Sequence, residues 1–547
     1  MNAFRLPAII LISMLIVLSL GQNLALQIDL SSDSRYSLSE TTKSQLMQLE
    51  TPLRIDLFLD GALPTIYKDY RRELDFFLKQ MEFYSDKLII QYNNPFEIGS
   101  EKEVVEEMLQ YGMSPEIVIE NREGQRNEQL VFPWMIVNYG NSSELISLLD
   151  KQLGDTDPDK ISRSLQEMEF LISDGISKVT LKEKQQIAVL TSHKTSGDIK
   201  LADLLQSLQP YYNIRPFDLK KSVPSPLQNL ENLKRFETLL ISNPNQPFTQ
   251  QEKYILDQYT LQGGSILWLL NGIGIDRDSL FNSSGKAYGF PLELNLDDYF
   301  FYQGIRINKS LIRDLYCAPI VLASGSADNT QFLPYPWPYY PLQKPESTLI
   351  GEKIGPIWAQ FSSPIDTLKS DLNQTVILQT SAYTSTAGVP AVITLEEATA
   401  KIQPSAYNES EKILGVLIEG KANSLFKNRI KPFQYDAHLD QGSHKTMVFS
   451  DGNLGENQID KGLPLQLGYD KWTSNFYGNK DLLVNAIHYL TNNIEKLFIR
   501  QKKWDLSFMD PQKIKANSWS IKLSMLLLPL LFIFAFGWLW QRGRSKQ

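Results

Sequence analysis

Residues 249–272 read "TQQEKYILDQYTLQGGSILWLLNG". Thr249 with Glu252 three positions on forms a capping box, in which hydroxyl and carboxylate satisfy the open amides of a helix start. A helix follows, and Gly263–Gly264 end it, because glycine takes up the left-handed turn of a helix C-terminus without steric penalty. The next residues, "SILWLLNG", are apolar as a buried strand is. A capped helix running straight into a buried strand is the repeating unit of an α/β sheet.

Working outward, the same alternation recurs. "QQIAVLTS" (185–192) is a strand, "DIKLADLLQSLQPYY" (198–212) a helix, "NIRPFDL" (213–219) a strand and "FETLLISNP" (236–244) a strongly apolar strand. "TMVFSDG" (446–452) returns to a strand with Asp-Gly at its C-terminal edge. Strands alternating with helices predict a mainly parallel, Rossmann-like domain over 185–495. Between about 285 and 440 the pattern loosens into proline and aromatic clusters such as "FLPYPWPYYPLQ", so an insertion is expected there.

"GYDKWTSNFYGNKDLLVNAIHYL" (468–490) gathers Asp, Lys, Tyr, Trp and His, the raw material of an active site. Its second half has a plainer reading as a helix. Asn479 suits an N-cap and Asp481 the first turn, where the helix dipole favours negative charge. Leu482, Leu483, Ala486, Ile487 and Leu490 make the stripe that packs on the sheet, with His488 off it.

The N-terminal part reads as a second α/β domain over 29–145. "TPLRIDLFLDG" (51–61) alternates as a strand, and Leu74, Phe77, Leu78, Met81 and Tyr84 then recur at helical spacing. A β-α-β-α-β-β order follows, with Pro115 directly before a strand, which is the arrangement of a thioredoxin-like fold. The Cys pair of that fold's redox chemistry has no counterpart in "DGALPTIYKDY", which excludes disulfide exchange. Residues 146–184 read as a polar-faced helical connector.

At 547 residues with a net charge of -8, the chain exceeds one ordinary core and has no basic footprint for nucleic acid. A single Cys leaves no internal disulfide and no Cys-based zinc site. Both ends are apolar: no charge falls between Leu6 and Ile28 or between Leu523 and Trp540, and crossing a bilayer takes roughly 20 apolar residues. Trp538, Trp540, Arg542, Arg544 and Lys546 resemble an interfacial belt with a basic tail. The expectation is two transmembrane helices, 6–28 as an uncleaved anchor and 523–540, joined to the domains through a juxtamembrane segment, 496–522. This would be an inner-membrane protein with the bulk of the chain in the periplasm.

Motifs for catalysis are absent: no GxxxxGK[ST], no GxGxxG after a strand, no HExxH and no GxSxG occurs. Cys317 in "RDLYCAPIV" lacks the glycine-flanked elbow that exposes a nucleophile. Asp436, His438, Asp440 and His444 are metal-ligating types but sit where a polar loop is expected. Asp297 and Asp298 are adjacent, so their side chains diverge. No catalytic residue, metal or cofactor is therefore assigned. The remaining candidate is a docking surface of Trp337, Tyr339, Tyr340, Tyr469, Asp470, Lys471, Trp472 and Tyr477, in proline- and glycine-bounded loops.

Several segments resemble one family. "TQQEKYILDQYTLQGGSILWLLNG" looks like the helix–Gly-Gly–strand signature of auxiliary components of ABC transporters. "LDDYFFYQGIRINKSLIRDLYCAPI", "PWPYYPL", "IEGKANSLFKNRI" and "LPLQLGYDKWTSNFYGNKDLLVNAIHYL" resemble the gliding-motility-associated G component of Bacteroidetes, often labelled a substrate-binding protein. That resemblance implies a noncatalytic extracytoplasmic auxiliary subunit, with an ABC permease as partner and a cytoplasmic ATPase beyond it. It also implies a main domain similar to class I glutamine-amidotransferase-like folds, without their nucleophilic Cys. Two alternatives are an envelope solute- or glycan-binding protein using the aromatic loops, and a hydrolase built around Asp451 with Asp436, His438 and His444.

Overall fold

The strand Ser265–Leu269 lies inside a nine-stranded sheet in the computed structural model. The structure describes residues 37–97, 99–122, 125–151, 155–220, 225–282, 284–325, 330–501 and 518–544. The described residues up to 501 belong to one compact unit, Tyr36–Lys502, and the helix Ser518–Arg544 belongs to a second.

The N-terminal part begins with α1 (Glu40–Met47), β1 (Leu53–Leu57), α2 (Thr65–Tyr84), β2 (Leu88–Tyr92) and α3 (Glu101–Gln110). It continues through β3 (Glu116–Arg122), β4 (Gln125–Val131), β5 (Trp134–Tyr139), β6 (Ser142–Ser147) and α4 (Asp157–Thr180). Its sheet has the order β2-β1-β5-β6, with β1 parallel to β2 and antiparallel to β5. Among the described residues the remaining two strands, β3 and β4, pair only with each other, antiparallel. Tyr70, Leu74, Leu78 and Met81 of α2 share one core with Ile161, Met168, Ile172 and Ile176 of α4. The stretch read as a connector thus supplies one wall of this core. Gly175 lets α4 approach β6, because a Cβ there would collide with Ile146.

The main sheet is built from β7 (Gln185–Leu190), α5 (Asp198–Leu208), β8 (Tyr212–Phe217), α6 (Pro226–Leu233), β9 (Thr238–Ser242), α7 (Gln250–Leu261) and β10 (Ser265–Leu269). Its parallel block runs β8-β7-β9-β10 and ends on Gln441–Phe449. Ile413–Asn423 then adds antiparallel, and Asn373–Gln379 pairs antiparallel with it. Successive side chains alternate between two cores: Ile266 and Trp268 face one, Leu267 and Leu269 the other. The capping box forms as expected, Glu252 Oε2 accepting from the Thr249 amide at 2.7 Å and Thr249 Oγ1 from the Glu252 amide at 3.2 Å. Gly263 has φ 102°, which only glycine adopts freely.

Between β10 and Ile413–Asn423 lies a set of small sheets with a core of their own, centred on Trp337, Tyr339, Tyr340, Trp358 and Phe361. "FLPYPWPYYPLQ" forms most of the strand Gln331–Gln343, pairing with Cys317–Ser324. Proline removes a ladder donor, yet Pro334, Pro336 and Pro338 fall on alternate positions, whose nitrogens share one edge of the strand. Pairing through the other edge survives.

The fold is a mixed α/β one with many strands in several small sheets beside the large one, and the two flanking transmembrane helices are not supported. The segment 6–28 lies outside the described residues. A helix does form over Ser518–Arg544, with Pro529 inside it. Among the described residues no helix is long and apolar enough to cross a membrane, which corrects the expected two-span inner-membrane localisation.

Candidate functional site

In doubly wound sheets the loops leaving the carboxyl ends of the parallel strands meet where the strand order reverses. Here the reversal falls between β7 and β9. The loop after β7 holds His193 and Lys194 at φ 63° and 50°, and the loop after β9 holds Asn243 at φ 51°. Left-handed backbone outside glycine is uncommon and is kept only where surroundings enforce it.

The enforcement is visible. The His193 ring stacks on Phe248 with centroids 3.9 Å apart. Its Nδ1 lies 2.9 Å from Ser192 Oγ, and its Nε2 3.3 Å from Glu252 Oε2. Burial pushes the Glu252 carboxyl up, but His193 and the Thr249 cap outweigh that and hold it below its usual range. Ser, His and carboxylate in line have the composition of a nucleophilic triad. Both Ser192 and His193 are buried, however, and Ser192 Oγ accepts from the Leu219 amide at 3.2 Å. The line of groups clamps the loops after β7 and β8 to the start of α7.

A second knot lies beside it. Glu456 Oε1 accepts from Ser196 Oγ at 2.7 Å and from Asn243 Nδ2 at 3.1 Å. Lys200 Nζ is 3.2 Å and Arg277 3.8 Å from its other oxygen. Asn271 bridges outward, donating to Asn243 Oδ1 at 3.0 Å and accepting from the Gly452 amide at 2.7 Å. Asp451, fully buried, accepts from the Gln360 amide at 2.6 Å and the Asn453 amide at 2.8 Å. Burial pushes its pKa up to about 7 against those two bonds. The loops of four strands are thereby tied to one another by side chains.

Of this edge, sequence reasoning singled out Asp451 as a chemical candidate and Glu252 only as half of a helix cap. The signal available was position: "TSHK", "SNP", "NG" and "SDG" each follow directly on an apolar strand.

The aromatic docking candidates scatter. Trp337, Tyr339, Tyr340 and Tyr477 are buried in the core of the small sheets, Tyr339 Oη donating to Glu397 at 3.1 Å. Asp470 is also buried and accepts from Thr473 Oγ1 at 2.6 Å and the Trp472 amide at 3.2 Å. Tyr469 is half-buried against Phe476. Lys471 donates to the Ile459 carbonyl at 2.9 Å and lies 5.3 Å from the Trp472 ring. Trp472 itself is 57% exposed and stacks on Phe332, which is 60% exposed.

The other chemistry-bearing residues are spread apart. His438 is taken up by Tyr254 at 2.9 Å and Asp440 at 3.0 Å, while His444 is buried elsewhere. Among the described residues no group of three His, Cys, Asp or Glu could hold a metal ion. Asp298 pairs with Lys253 at 2.7 Å and Arg429 at 2.8 Å, and Asp297 with Lys309 at 3.5 Å. Burial pushes the Cys317 thiol up to about 11, far from the thiolate a nucleophile needs. Asn479 does not cap its helix: Gly478 holds the cap position, and Asn479 instead binds the Trp358 amide and carbonyl, each at 2.9 Å.

A family model described as "ABC-type uncharacterized transport system", the ABC transport auxiliary family, matches residues 184–486, more than half of the chain. The chain belongs to this family. The match covers β7 through most of the helix Asn479–Leu490, so the main sheet, its knotted edge and the inserted sheets are all parts of the ABC transport auxiliary region. Membership makes the chain an accessory protein of an ABC-type transport system, associated with an ABC transporter complex. Residues 32–138 match a second model, "Domain of unknown function (DUF7088)". No curated protein matches. Among solved structures, the "mmIFT52 N-terminal domain" is similar at 14% identity and a TM-score of 0.33, over 56% of this chain and 97% of that one. A likeness at that score carries no argument.

Proposed function

We propose that this accessory protein is a noncatalytic coupling subunit, working beside an ABC permease and, through it, a cytoplasmic ATPase. The gliding-motility-associated transporter is the system its segments resemble. The observation that supports the noncatalytic reading is the state of the carboxyl edge. Ser192, His193 and Glu252 contact one another, Asp451 is held by backbone amides and Glu456 by the side chains of Ser196 and Asn243, so that all five serve to tie loops together. A hydrolase keeps its nucleophile open to substrate and its base within reach of it.

Full-length protein drawn from gently solubilised cells, with its partners identified by mass spectrometry, tests the coupling role. A permease and an ATPase recovered in near-equal amounts are expected; the protein recovered alone would refute the reading. Ser192→Ala addresses catalysis separately. It should leave transport intact, whereas loss of transport in a protein that still assembles with its partners would indicate hidden chemistry.

A further inference from the structure

At the opposite edge of the main sheet, beside the start of Gln441–Phe449 and the end of α7, lies a cavity of about 250 Å³. Its lining includes three buried polar groups with no hydrogen-bond partner: Tyr299 Oη, Gln303 Oε1 and His444 Nε2. Gln303 and Thr260 neighbour the Tyr299 hydroxyl, but neither makes a hydrogen bond of ordinary geometry to it. Orphaned polar groups in a folded interior are few and costly, so three around one cavity call for an occupant.

The charges around the cavity decide what kind. Lys369 and Lys421 line it, as do Asp257 and Asp371, so the formal charges cancel. Asp257 is already bound, by Ser424 Oγ at 2.6 Å and the Leu425 amide at 2.8 Å, while Lys369, Asp371 and Lys421 are exposed at the rim. Burial pushes His444 down to about 4, so its ring is neutral at physiological pH and has one donating and one accepting nitrogen. The interior therefore offers neutral donors and acceptors side by side, with no buried unpaired charge. Tyr302, in the same lining, is an exposed aromatic residue.

We infer that this cavity binds a neutral, polyhydroxylated ligand the size of one sugar ring. A hydroxyl both donates and accepts, so it can serve Gln303 Oε1 as donor and the phenol or the rim lysines as acceptor. The volume lies just below the roughly 300 Å³ at which drug-sized ligand pockets begin, which excludes an oligosaccharide held along its length. A zwitterionic amino acid would need a buried counter-charge for each end, and the free charges here are confined to the screened rim. The inference is independent of the coupling role, since a transport accessory can bind a solute or not.

Saturation-transfer NMR on the full-length chain tests it, with the methyl glycosides of glucose, galactose and mannose as neutral probes and glycine and glutamate as zwitterionic ones. At least one glycoside is expected to bind, and to compete with the others for one site. Lys421→Ala and Tyr302→Ala, both at exposed positions, should each weaken it about tenfold, or about 1.4 kcal/mol, without shifting Tm. Gln303→Leu removes a buried acceptor and should abolish binding while the ellipticity of the fold is kept. Failure of every glycoside, preference for an amino acid, or binding indifferent to both rim substitutions would each overturn the inference.

Discussion

His444 and His488 are buried with their pKa values pushed down, to about 4 and about 3; for His488, burial leads and the Lys496 ammonium adds to it. In the unfolded chain both would titrate near 6.5. Their contribution to stability is thus fully present above pH 6.5 and is lost as pH falls toward 4, because the unfolded chain takes up protons that the folded one refuses. Asp451 works the other way: raised to about 7, it favours the folded protein at low pH and loses that contribution as pH rises from about 4 to 7. Urea midpoints measured from pH 4 to 8 should show His444→Leu with a shallower acid-side slope than the parent. An unchanged slope would mean that His444 is protonated in the folded state. The aromatic residues separate as sharply. Trp337→Ala empties a fully buried site and should cost about 3–5 kcal/mol, whereas Trp472→Ala, at an exposed one, should stay within about 0.5 kcal/mol. Equilibrium denaturation of the two variants side by side checks this. Composition made these two tryptophans look alike, and only their surroundings tell them apart.

Among the elements, α4 holds the most surprising position. Its apolar face closes the N-terminal core, while Glu167 and Asp174 on the other side meet cations from the main sheet's neighbourhood. Glu167 lies 3.3 Å from Lys353 and 3.1 Å from Arg500; Asp174 lies 3.3 Å from Lys496 and accepts from Tyr211 Oη at 2.6 Å. Burial opposes the Asp174 charge, but Lys496, Lys178 and Tyr211 outweigh it and hold the carboxyl well below the usual range. Asp174→Ala would leave the buried Lys496 ammonium without its partner, and about 3–5 kcal/mol of stability should be lost in chemical denaturation. A loss under 1 kcal/mol would mean that water already reaches the pair. Within the stretch read as a helical connector, 146–184, only Asp157–Thr180 is helix, its first residues ending the strand Ser142–Ser147, and the polar stripe of that helix gave the appearance of a solvated connector. A buried ion pair and an exposed charge are the same letters in a sequence. The strand Gln331–Gln343 misled for a related reason, since four prolines within it signal a loop until the alternate spacing of the first three is noticed.

At the scale of the whole molecule, the family match and the knotted carboxyl edge bear on the same question from different sides. If the chain couples a transporter rather than catalysing, Ser192→Ala and Glu456→Gln should assemble with permease and ATPase like the parent, and the expected cost is stability alone. For Glu456→Gln, about 1–3 kcal/mol would be lost through the weakened tie between the loops after β7, β9 and Gln441–Phe449, read as a lower midpoint in thermal melting. What the sequence determined by itself was local: the capped helix at Thr249, the Gly263 stop, the apolar strands, and the buried stripe of the helix Asn479–Leu490. Each of these is written in residues within a few positions of one another, where backbone sterics and periodicity act. Which aromatic residues are core, which carboxylates are tied, and where three polar groups are left facing one cavity depend on residues far apart in the chain. Tyr299 and Gln303, in and directly after the helix Asp297–Tyr302, share a cavity with His444 only when that helix and the strand Gln441–Phe449 are both packed beside α7, and burial, which sets their chemistry, is a property of that arrangement rather than of any residue in it.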